Sequence, residues 1–348
     1  MRSIEERINE IEEEIRRTQY NKATEKHIGL LKAKIARLRE LQEKGSKGAR
    51  RVGVRKNGDA TCALGGPPSA GKSTILTAIT DAESKVADYA FTTTGVIEGT
   101  MIYRGAHIQI FDTPGLIEGA SSGKGMGKEI LSTLRVSDLL LIVLDVDRAE
   151  EKESIEKELY ASGIRLNRKK PDISVKKRDR GGIEVHGFCD KAFVKGIASE
   201  AGILNASIYV GRGTTVEGIV DHFSGNTVYP KALWILNKAD KGEEMEGFDV
   251  CISAKTGRNL DRLKEQIFDK LELIRVYTSI GAEEPMILKR GATVRDFALK
   301  LHRDFESRFR YARVWGSSVK FDGQLVGLEH ELRDGDRIEI TLSTQNKM

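Results

Sequence analysis

The chain contains 348 residues, 39% of them hydrophobic and 31% charged, and its formal net charge is +5. Its longest apolar run, residues 139–146, is interrupted by Asp145 and is far shorter than the roughly 20 residues of a membrane helix, so we expect no membrane segment. The N-terminus alternates charges where a secretory signal would be apolar, and the three scattered cysteines suggest neither a disulfide framework nor a zinc site. We therefore expect a cytoplasmic protein of two or three domains.

Residues 1–48 predict a helical hairpin followed by a linker. Isoleucines recur at alternating spacings of four and three over residues 4–15, and residues 30–41 carry a second apolar stripe, which is typical of amphipathic helices. The polar break at residues 18–24 would let the two helices fold back on each other. A coiled-coil dimer is the alternative, but each apolar seam is short, and we expect a monomer.

From Asp59 onward, short apolar runs alternate with helical patterns, as in α/β folds. We predict one α/β domain over residues 59–277. Its predicted strands are 60–64, 96–103, 107–111, 139–144, 232–236 and 250–252, and its predicted helices are 72–79 and 259 to about 273. The motifs described next follow the ends of these strands.

Gly66-Pro-Pro-Ser-Ala-Gly-Lys-Ser73 matches the full G-x-x-x-x-G-K-[ST] pattern between a predicted strand and a predicted helix, the context that a P-loop requires. Backbone N–H groups of such a loop hold the α- and β-phosphates of a nucleotide. Lys72 would reach the β- and γ-phosphates, and the Ser73 hydroxyl would be a magnesium ligand. The predicted phosphate-binding residues are Gly66, Pro67, Pro68, Ser69, Ala70, Gly71, Lys72, Ser73 and Thr74.

Asp112-Thr-Pro-Gly115 ends a predicted strand. The Asp112 carboxylate would hold magnesium directly or through water, and the Gly115 N–H would face the γ-phosphate. Threonines at 92–94 lie in a loop expected to order around the γ-phosphate and magnesium; we favour Thr93 as the magnesium ligand, with Thr92 as the alternative. The candidates here are Phe91, Thr92, Thr93, Asp112, Thr113, Pro114 and Gly115, and the catalytic candidates are Lys72, Thr93 and Gly115.

Residues 164–226 interrupt the α/β alternation with a segment rich in Gly, Lys and Arg, which predicts an α+β insertion. Basic runs at 168–170 and 176–178, with Arg180, could contact RNA phosphates. A solvated charged loop is the alternative. The mild positive charge of the whole chain permits nucleic-acid contact without requiring it.

Asn237-Lys-Ala-Asp240 follows an apolar strand and predicts which base is bound. The Asp240 carboxylate can accept hydrogen bonds from the ring N–H and exocyclic amine of guanine, whereas adenine offers neither; such a mismatch rejects the wrong ligand by roughly 10⁴-fold. Asn237 would tie this loop to the P-loop, and the Ala254 N–H would lie near the guanine carbonyl. The guanine-binding candidates are Asn237, Lys238, Asp240, Ser253, Ala254 and Lys255, with the Lys238 stem packed on the base. The predicted ligands are therefore GTP or GDP with Mg²⁺.

Residues 278–348 predict a separate α+β module. A strand is expected at 286–288, followed by a helix that Thr293 caps together with Asp296, three positions on. Further strands are expected at 311–315, 318–321 and 337–342, with a turn at Asp334-Gly-Asp336 before the last. One helix packed on a small mixed sheet fits this order.

Longer strings accompany these motifs. They are Thr18-Gln-Tyr-Asn-Lys-Ala-Thr24, His27-Ile-Gly-Leu-Leu-Lys-Ala33, Asp88-Tyr-Ala-Phe-Thr-Thr93, Gly115-Leu-Ile-Glu-Gly-Ala120, Gly163-Ile-Arg-Leu-Asn167 and Tyr311-Ala-Arg-Val-Trp-Gly316. In these strings the chain resembles, almost end to end, the developmentally regulated GTP-binding (DRG) proteins of the Obg-related GTPases, in an archaeal-type version.

The resemblance implies a P-loop GTPase domain with the insertion, an N-terminal helical hairpin and a C-terminal ubiquitin-like β-grasp unit of the TGS type, shared with threonyl-tRNA synthetase and SpoT-type proteins. It implies work near ribosomes; eukaryotic members are similar in pairing with a zinc-finger partner. Ser69 occupies the position at which potassium-activated relatives carry asparagine, so potassium dependence is not implied. Ala90 stands where Obg relatives commonly carry proline.

Leu116 occupies the position at which Ras-type GTPases orient the attacking water with a glutamine. An apolar side chain cannot position water, so we expect a slow GTPase switch unless the Thr93 backbone, a cation or a protein partner supplies the missing stabilisation. Glu118 is a weaker candidate for that role, and residues 119–127 fit a mobile switch segment. The alternatives are a P-loop ATPase or kinase, which gains nothing from Asn237-Lys-Ala-Asp240, and a scaffold that binds nucleotide without turnover.

Overall fold

The computed structural model describes residues 4–19, 21–45, 58–80, 85–87, 96–112, 137–225, 227–242, 245–278 and 284–343. By its internal contacts the chain divides into two compact units. The smaller unit comprises residues 1–51 and 159–229, and the larger unit comprises residues 52–158 and 230–348. Within the described ranges, none of the helices has the length and apolar character that crossing a membrane requires.

The elements of the described residues are numbered in chain order. The helices are α1 (Ile4–Arg17), α2 (Glu25–Gly45), α3 (Lys72–Ile79), α4 (Lys152–Ala161), α5 (Lys191–Glu200), α6 (Val216–Ser224), α7 (Leu260–Lys270), α8 (Val294–Leu301) and α9 (Asp304–Ser307), with a 3₁₀ helix at Val146–Glu151. The strands are β1 (Ala60–Gly65), β2 (Lys85–Ala87), β3 (Val96–Tyr103), β4 (Ala106–Asp112), β5 (Leu139–Asp145), β6 (Ile173–Lys177), β7 (Ile183–Gly187), β8 (Ala206–Val210), β9 (Lys231–Asn237), β10 (Val250–Cys251), β11 (Leu273–Thr278), β12 (Met286–Lys289), β13 (Phe309–Trp315), β14 (Gln324–Val326) and β15 (Arg337–Leu342).

The larger unit contains a seven-stranded sheet in the order β10-β9-β5-β1-β4-β3-β2. The five strands from β10 to β4 run parallel to one another, β3 pairs antiparallel with β4, and β2 pairs antiparallel with β3. Every residue of β1 and β5 is buried, as expected of central strands covered on both faces. Ile75 and Leu76 of α3 and Leu263 and Ile267 of α7 belong to this core. The sheet confirms the predicted α/β fold and brings the carboxyl ends of five strands to one edge.

The larger unit also contains a five-stranded mixed sheet in the order β12-β11-β15-β13-β14. The fully buried Phe297 of α8 packs in its core. The Asp296 carboxylate accepts hydrogen bonds from the Thr293 N–H at 2.8 Å and from the Thr293 hydroxyl at 3.0 Å. The predicted cap and the predicted module of one main helix on a small mixed sheet are thereby confirmed.

Most predicted elements agree with the structure to within one or two residues, but the strand predicted at 318–321 was wrong. These residues form the turn between β13 and β14. The Ser318 N–H donates to the Asp336 carboxylate at 3.3 Å, and the Lys320 N–H donates to Gln324 Oε1 at 2.9 Å. Phe321 is 66% exposed, so the apolar side chains that suggested a strand are not all directed into the core.

The end predicted for the closing helix, at about residue 273, was also wrong. Helix α7 ends at Lys270, and Glu272 adopts a left-handed backbone conformation with φ 53°. Leu273 then begins β11, which pairs with β12 and β15. The sheet of the C-terminal module thus takes in residues that precede the predicted module start at 278.

The smaller unit combines the N-terminal hairpin with the insertion. Helices α1 and α2 share an apolar cluster whose buried members are Ile8, Ile11, Leu31, Ile35 and Leu38, which confirms the predicted hairpin. The insertion is a three-stranded sheet in the order β6-β8-β7 with α5 and α6 packed on one face. Leu30 and Ala33 of α2 join the core of the insertion, a contact that the sequence did not predict.

Candidate nucleotide-binding site

The described site candidates lie at the carboxyl ends of parallel strands in the larger unit. The P-loop follows β1, Asp112 ends β4, Asn237 ends β9, and Ser253 comes directly after β10 and Ile252. The register pairs Leu64 with Asp112. Ligands of open α/β sheets bind at this edge, so the topology brings these candidates to one place.

Two glycines allow the P-loop to approach the neighbouring strands. Gly71 has φ 87°, and a Cβ atom there would lie 2.3 Å from Asn237 Nδ2. A Cβ atom at Gly66 would lie 2.3 Å from the Val143 carbonyl oxygen. Both distances are too short for any side chain, so the glycines of the G-x-x-x-x-G-K pattern are required here by packing as well as by backbone conformation.

The Lys72 ammonium donates to the Gly66 carbonyl at 2.9 Å and to the Pro67 carbonyl at 3.0 Å. The loop is therefore curled around its own lysine. Arg148, in the 3₁₀ helix after β5, donates to the Pro68 carbonyl at 3.4 Å and places a second cation beside the loop. Sequence reasoning did not select Arg148.

The Ser73 hydroxyl donates to Asp112 Oδ2 at 3.0 Å. A hydroxyl and a carboxylate are the hard oxygen ligands that Mg²⁺ prefers, so these two groups fit the predicted metal. The third predicted ligand, Thr93, lies outside the described residues. The same holds for Phe91, Thr92, Thr113, Pro114, Gly115 and Leu116.

Asn237 connects three segments of the site through one buried amide. Its Nδ2 donates to the Ala70 carbonyl at 2.9 Å, which is the predicted contact with the P-loop. Its Oδ1 accepts from the Ala254 N–H at 3.1 Å. We expected that N–H near a guanine carbonyl; in the structure it is used to fix Asn237.

The Asp240 side chain is exposed to solvent, whereas Ser253 is fully buried. The Ser253 hydroxyl, which hydrogen-bonds to the Asp240 carboxylate, holds the pKa of Asp240 below its usual value. Asp240 is therefore ionised at neutral pH and acts only as a hydrogen-bond acceptor. Such a group matches the two N–H donors of guanine. Two further candidates, Lys255 and Thr74, are also exposed.

Asp145 is a site residue that sequence reasoning missed. It ends β5, is paired in register with Asn237, and is buried. Its Oδ2 lies 2.6 Å from Lys238 Nζ, and Lys238 itself has φ 62°. This ion pair fixes the aliphatic stem of Lys238 at the edge of the sheet. The sequence feature that could have identified Asp145 is a charged residue at the end of an otherwise apolar strand.

Comparison with known proteins places this geometry in a family. One family model, described as a 50S ribosome-binding GTPase, matches residues 61–177; the C-terminal region of that domain matches 180–273, and the TGS domain matches 274–342. Human developmentally-regulated GTP-binding protein 2 is 41% identical over 97% of this chain and 99% of its own length. The chain belongs to the developmentally regulated GTP-binding protein family.

The DRG family relatives include Arabidopsis thaliana developmentally-regulated G-protein 3, 42% identical over 98% of this chain and 99% of its own length. An uncharacterized GTP-binding protein of Methanocaldococcus jannaschii is 45% identical over 97% of this chain and 93% of its own. Among solved structures, the Schizosaccharomyces pombe YchF GTPase aligns with a TM-score of 0.45 and 16% identity, over 83% of this chain and 100% of its own. The sequence identities to the family members confirm the resemblance to the DRG family.

Proposed function

We propose that this DRG-family chain binds GTP or GDP with Mg²⁺ and acts as a slowly hydrolysing molecular switch on ribosomes. The observation that carries the nucleotide site is the Asn237 amide, which joins the Ala70 carbonyl to the Ala254 N–H. It holds the P-loop at a fixed position relative to Asp240. A ligand that binds both the P-loop and Asp240 must present phosphates to the loop and two N–H donors to the Asp240 carboxylate. A guanine nucleotide has both.

In this proposal Lys72 exchanges the Gly66 and Pro67 carbonyls for phosphate oxygens when nucleotide enters. Ser73 and Asp112, with Thr93, would hold a magnesium ion, whose charge would offset the negative charge that develops on the phosphates. Lys238 lies along the base, held by Asp145. As the sequence predicts, the Gly115 N–H would face the γ-phosphate.

Slow turnover is proposed because Leu116 cannot position water. A protein activator, the ribosome or a cation would then set the rate, and Ser69 argues against a potassium requirement. The ribosomal role is supported by the match to the family of 50S ribosome-binding GTPases. The exposed basic runs at 168–170 and 176–178, with Arg180, support contact with RNA.

Base specificity is tested with Asp240→Asn. Wild-type protein should bind GTP over ATP by roughly 10⁴-fold, because adenine leaves the carboxylate unpaired. Xanthine carries a carbonyl where guanine carries an amine, so the variant amide should lose GTP affinity and gain XTP affinity, each by roughly 10²-fold. Titration with fluorescent GTP, ATP and XTP measures this. Asp261→Asn, an exposed carboxylate on α7, is the control. Wild-type preference for ATP, or unchanged GTP affinity in Asp240→Asn, would contradict the proposal.

Turnover is tested by phosphate release from GTP with magnesium, in the presence and absence of potassium and of ribosomes. We expect a low basal rate that ribosomes increase. If GTP binds tightly but no phosphate is released under any of these conditions, the chain is a nucleotide-dependent scaffold, the second candidate function.

A further inference from the structure

The smaller unit has a sheet face that the nucleotide site does not use. Helices α5 and α6 cover one face of the β6-β8-β7 sheet, where Val185, Ile208 and Val210 are buried. The register places two rows of side chains on the other face: His186, Tyr209 and Ser174 in one, and Glu184, Ser207 and Lys176 in the other. All of them are exposed except Ser207, which is half-buried.

Two large aromatic side chains are exposed on or beside this face. Tyr209, on the central strand, is 47% exposed, and Phe188, directly after β7, is 58% exposed. The Arg212 guanidinium lies over the Phe188 ring, 4.3 Å from its centroid. Exposed aromatic rings, one of them already stacked with a guanidinium, are the side chains on which nucleic-acid bases stack.

The backbone fixes Phe188 in place. Its N–H donates to the Val210 carbonyl at 3.1 Å, continuing the pairing of β7 with β8. Gly187 has φ 103°, and a Cβ atom there would lie 2.0 Å from the same carbonyl oxygen. The close approach of the two strands therefore places Phe188 at the end of the sheet, although its side chain is mostly exposed.

The charge of the region suits a polyanion. Residues 165–212 contain eleven lysines and arginines against five aspartates and glutamates, a net charge of +6 compared with +5 for the whole chain. Lys176, Lys177, Arg178 and Arg180 are all exposed at one end of the face. The acidic residue on the face, Glu184, is paired with Arg178 at 2.6 Å, so its charge is compensated locally.

We propose that this surface, the stacking face (Lys176, His186, Phe188, Tyr209 and Arg212), binds single-stranded RNA. Unpaired bases would stack on Tyr209 and Phe188 while Lys176 and Arg212 meet phosphates. Duplex RNA keeps its bases stacked inside the helix and cannot use the rings, and an acidic peptide would use only the cations. The choice of RNA over DNA rests on the proposed ribosomal function.

The test uses the full-length protein and fluorescence anisotropy with a labelled 12-nucleotide oligouridine RNA and an RNA duplex of equal length. Wild-type protein should prefer the single strand. Tyr209→Ala and Phe188→Ala should each weaken its binding roughly 5- to 100-fold, the range found for loss of one stacked base. Lys176→Ala should weaken RNA binding less than either aromatic substitution does. It should also lower the salt dependence of the affinity by the amount expected for about one lost phosphate contact.

Two controls separate this surface from general charge and hydrophobicity. Lys195→Ala removes an exposed cation from α5, on the covered side of the sheet, and Leu204→Ala removes a 78% exposed apolar side chain from the α5–β8 connection. Both should bind RNA as wild type does. Equal losses in Lys195→Ala and Tyr209→Ala, or equal affinity for duplex and single strand, would overturn the stacking face, as would absence of RNA binding at low salt.

Binding of a fluorescent GTP analogue is measured on the same preparations. It should be unchanged in every variant, so a protein that binds RNA without GTP would refute the proposed nucleotide function and not the stacking face. A photoreactive benzoylphenylalanine at position 209 adds a direct readout in cell extract. Crosslinks to RNA are expected, and crosslinks to protein alone would overturn the proposal.

Discussion

At the scale of single residues, the guanine end and the phosphate end of the site depend on one buried side chain. Asn237 uses both halves of its amide, as donor to Ala70 and as acceptor from Ala254. The contact with the P-loop was predictable because the motif order implies it. The use of the Ala254 N–H and the Asp145–Lys238 pair were not, because they depend on which strands are neighbours in the sheet.

Asn237→Asp changes a single group of this amide. The oxygen that accepts the Ala254 N–H is kept, while the Nδ2 donor is replaced by a carboxylate oxygen that faces the Ala70 carbonyl. An unsatisfied buried acceptor of this kind costs about 1–3 kcal/mol, so we expect GTP affinity to fall roughly 10- to 100-fold by equilibrium titration. Asn205→Asp is the matched control, since Asn205 likewise bonds Gly182 N–H at 2.8 Å and the Asp179 carbonyl at 3.3 Å in the smaller unit. Equal affinity in Asn237→Asp and wild type would show that the bridge does not organise the site.

At the scale of elements, periodic segments were predictable and irregular ones were not. Helix α3 was predicted with its observed bounds because an apolar stripe, a strand before it and the P-loop all agree. The strand predicted at 318–321 was wrong because the alternation of Val319 and Phe321 with polar residues does not reveal that the Phe321 side chain lies in solvent. Strand β11 was not predicted, and its first residue, Leu273, was assigned to the preceding helix, because only the pairing with β12 and β15 identifies the strand.

A buried ion pair stabilises the insertion. Arg165, 8% exposed, donates from Nε and Nη2 to the two Asp221 oxygens at 2.9 Å each, and its guanidinium lies 3.8 Å from the centroid of the Tyr160 ring. Burial, followed by the Asp221 charge, raises the pKa of Tyr229 to about 12, so Tyr229 remains a neutral donor to Asp221. The Gly163-Ile-Arg-Leu-Asn167 string therefore has a structural role at its arginine.

Arg165→Ala should destabilise the smaller unit by about 3–5 kcal/mol, because it leaves the Asp221 carboxylate buried without its cation. Arg168→Ala is the control: its pair with Glu217 is 57% exposed on the arginine side, and such pairs contribute about 0–1 kcal/mol. Hydrogen exchange of peptides from residues 159–229 under increasing urea measures both. Similar protection in the two variants would show that burial of the pair is energetically unimportant.

At the scale of the whole molecule, the two units are each assembled from segments far apart in sequence. The hairpin at residues 4–45 and the insertion after residue 159 share one core. The sequence predicted both parts but not their packing, because amphipathic helices show that a face is buried and not what buries it.

The proposed magnesium site also predicts how the stability of the larger unit responds to ligands. A ligand that binds only the folded state stabilises it by about 2.7 kcal/mol at a hundredfold excess over its Kd. GTP with magnesium should therefore increase hydrogen-exchange protection of β1 and β9, and chelation with EDTA should remove much of that increase. In Ser73→Ala, the protection measured with magnesium and that measured with EDTA should differ less than in wild type. The substitution deletes one of the two described oxygens, those of Ser73 and Asp112, that would bind the metal. Thr77→Ala, which removes a hydroxyl one turn later on α3 that bonds only the Ser73 carbonyl at 3.0 Å among the contacts described, should not. A GTP effect independent of magnesium in wild type would exclude Ser73 and Asp112 as metal ligands.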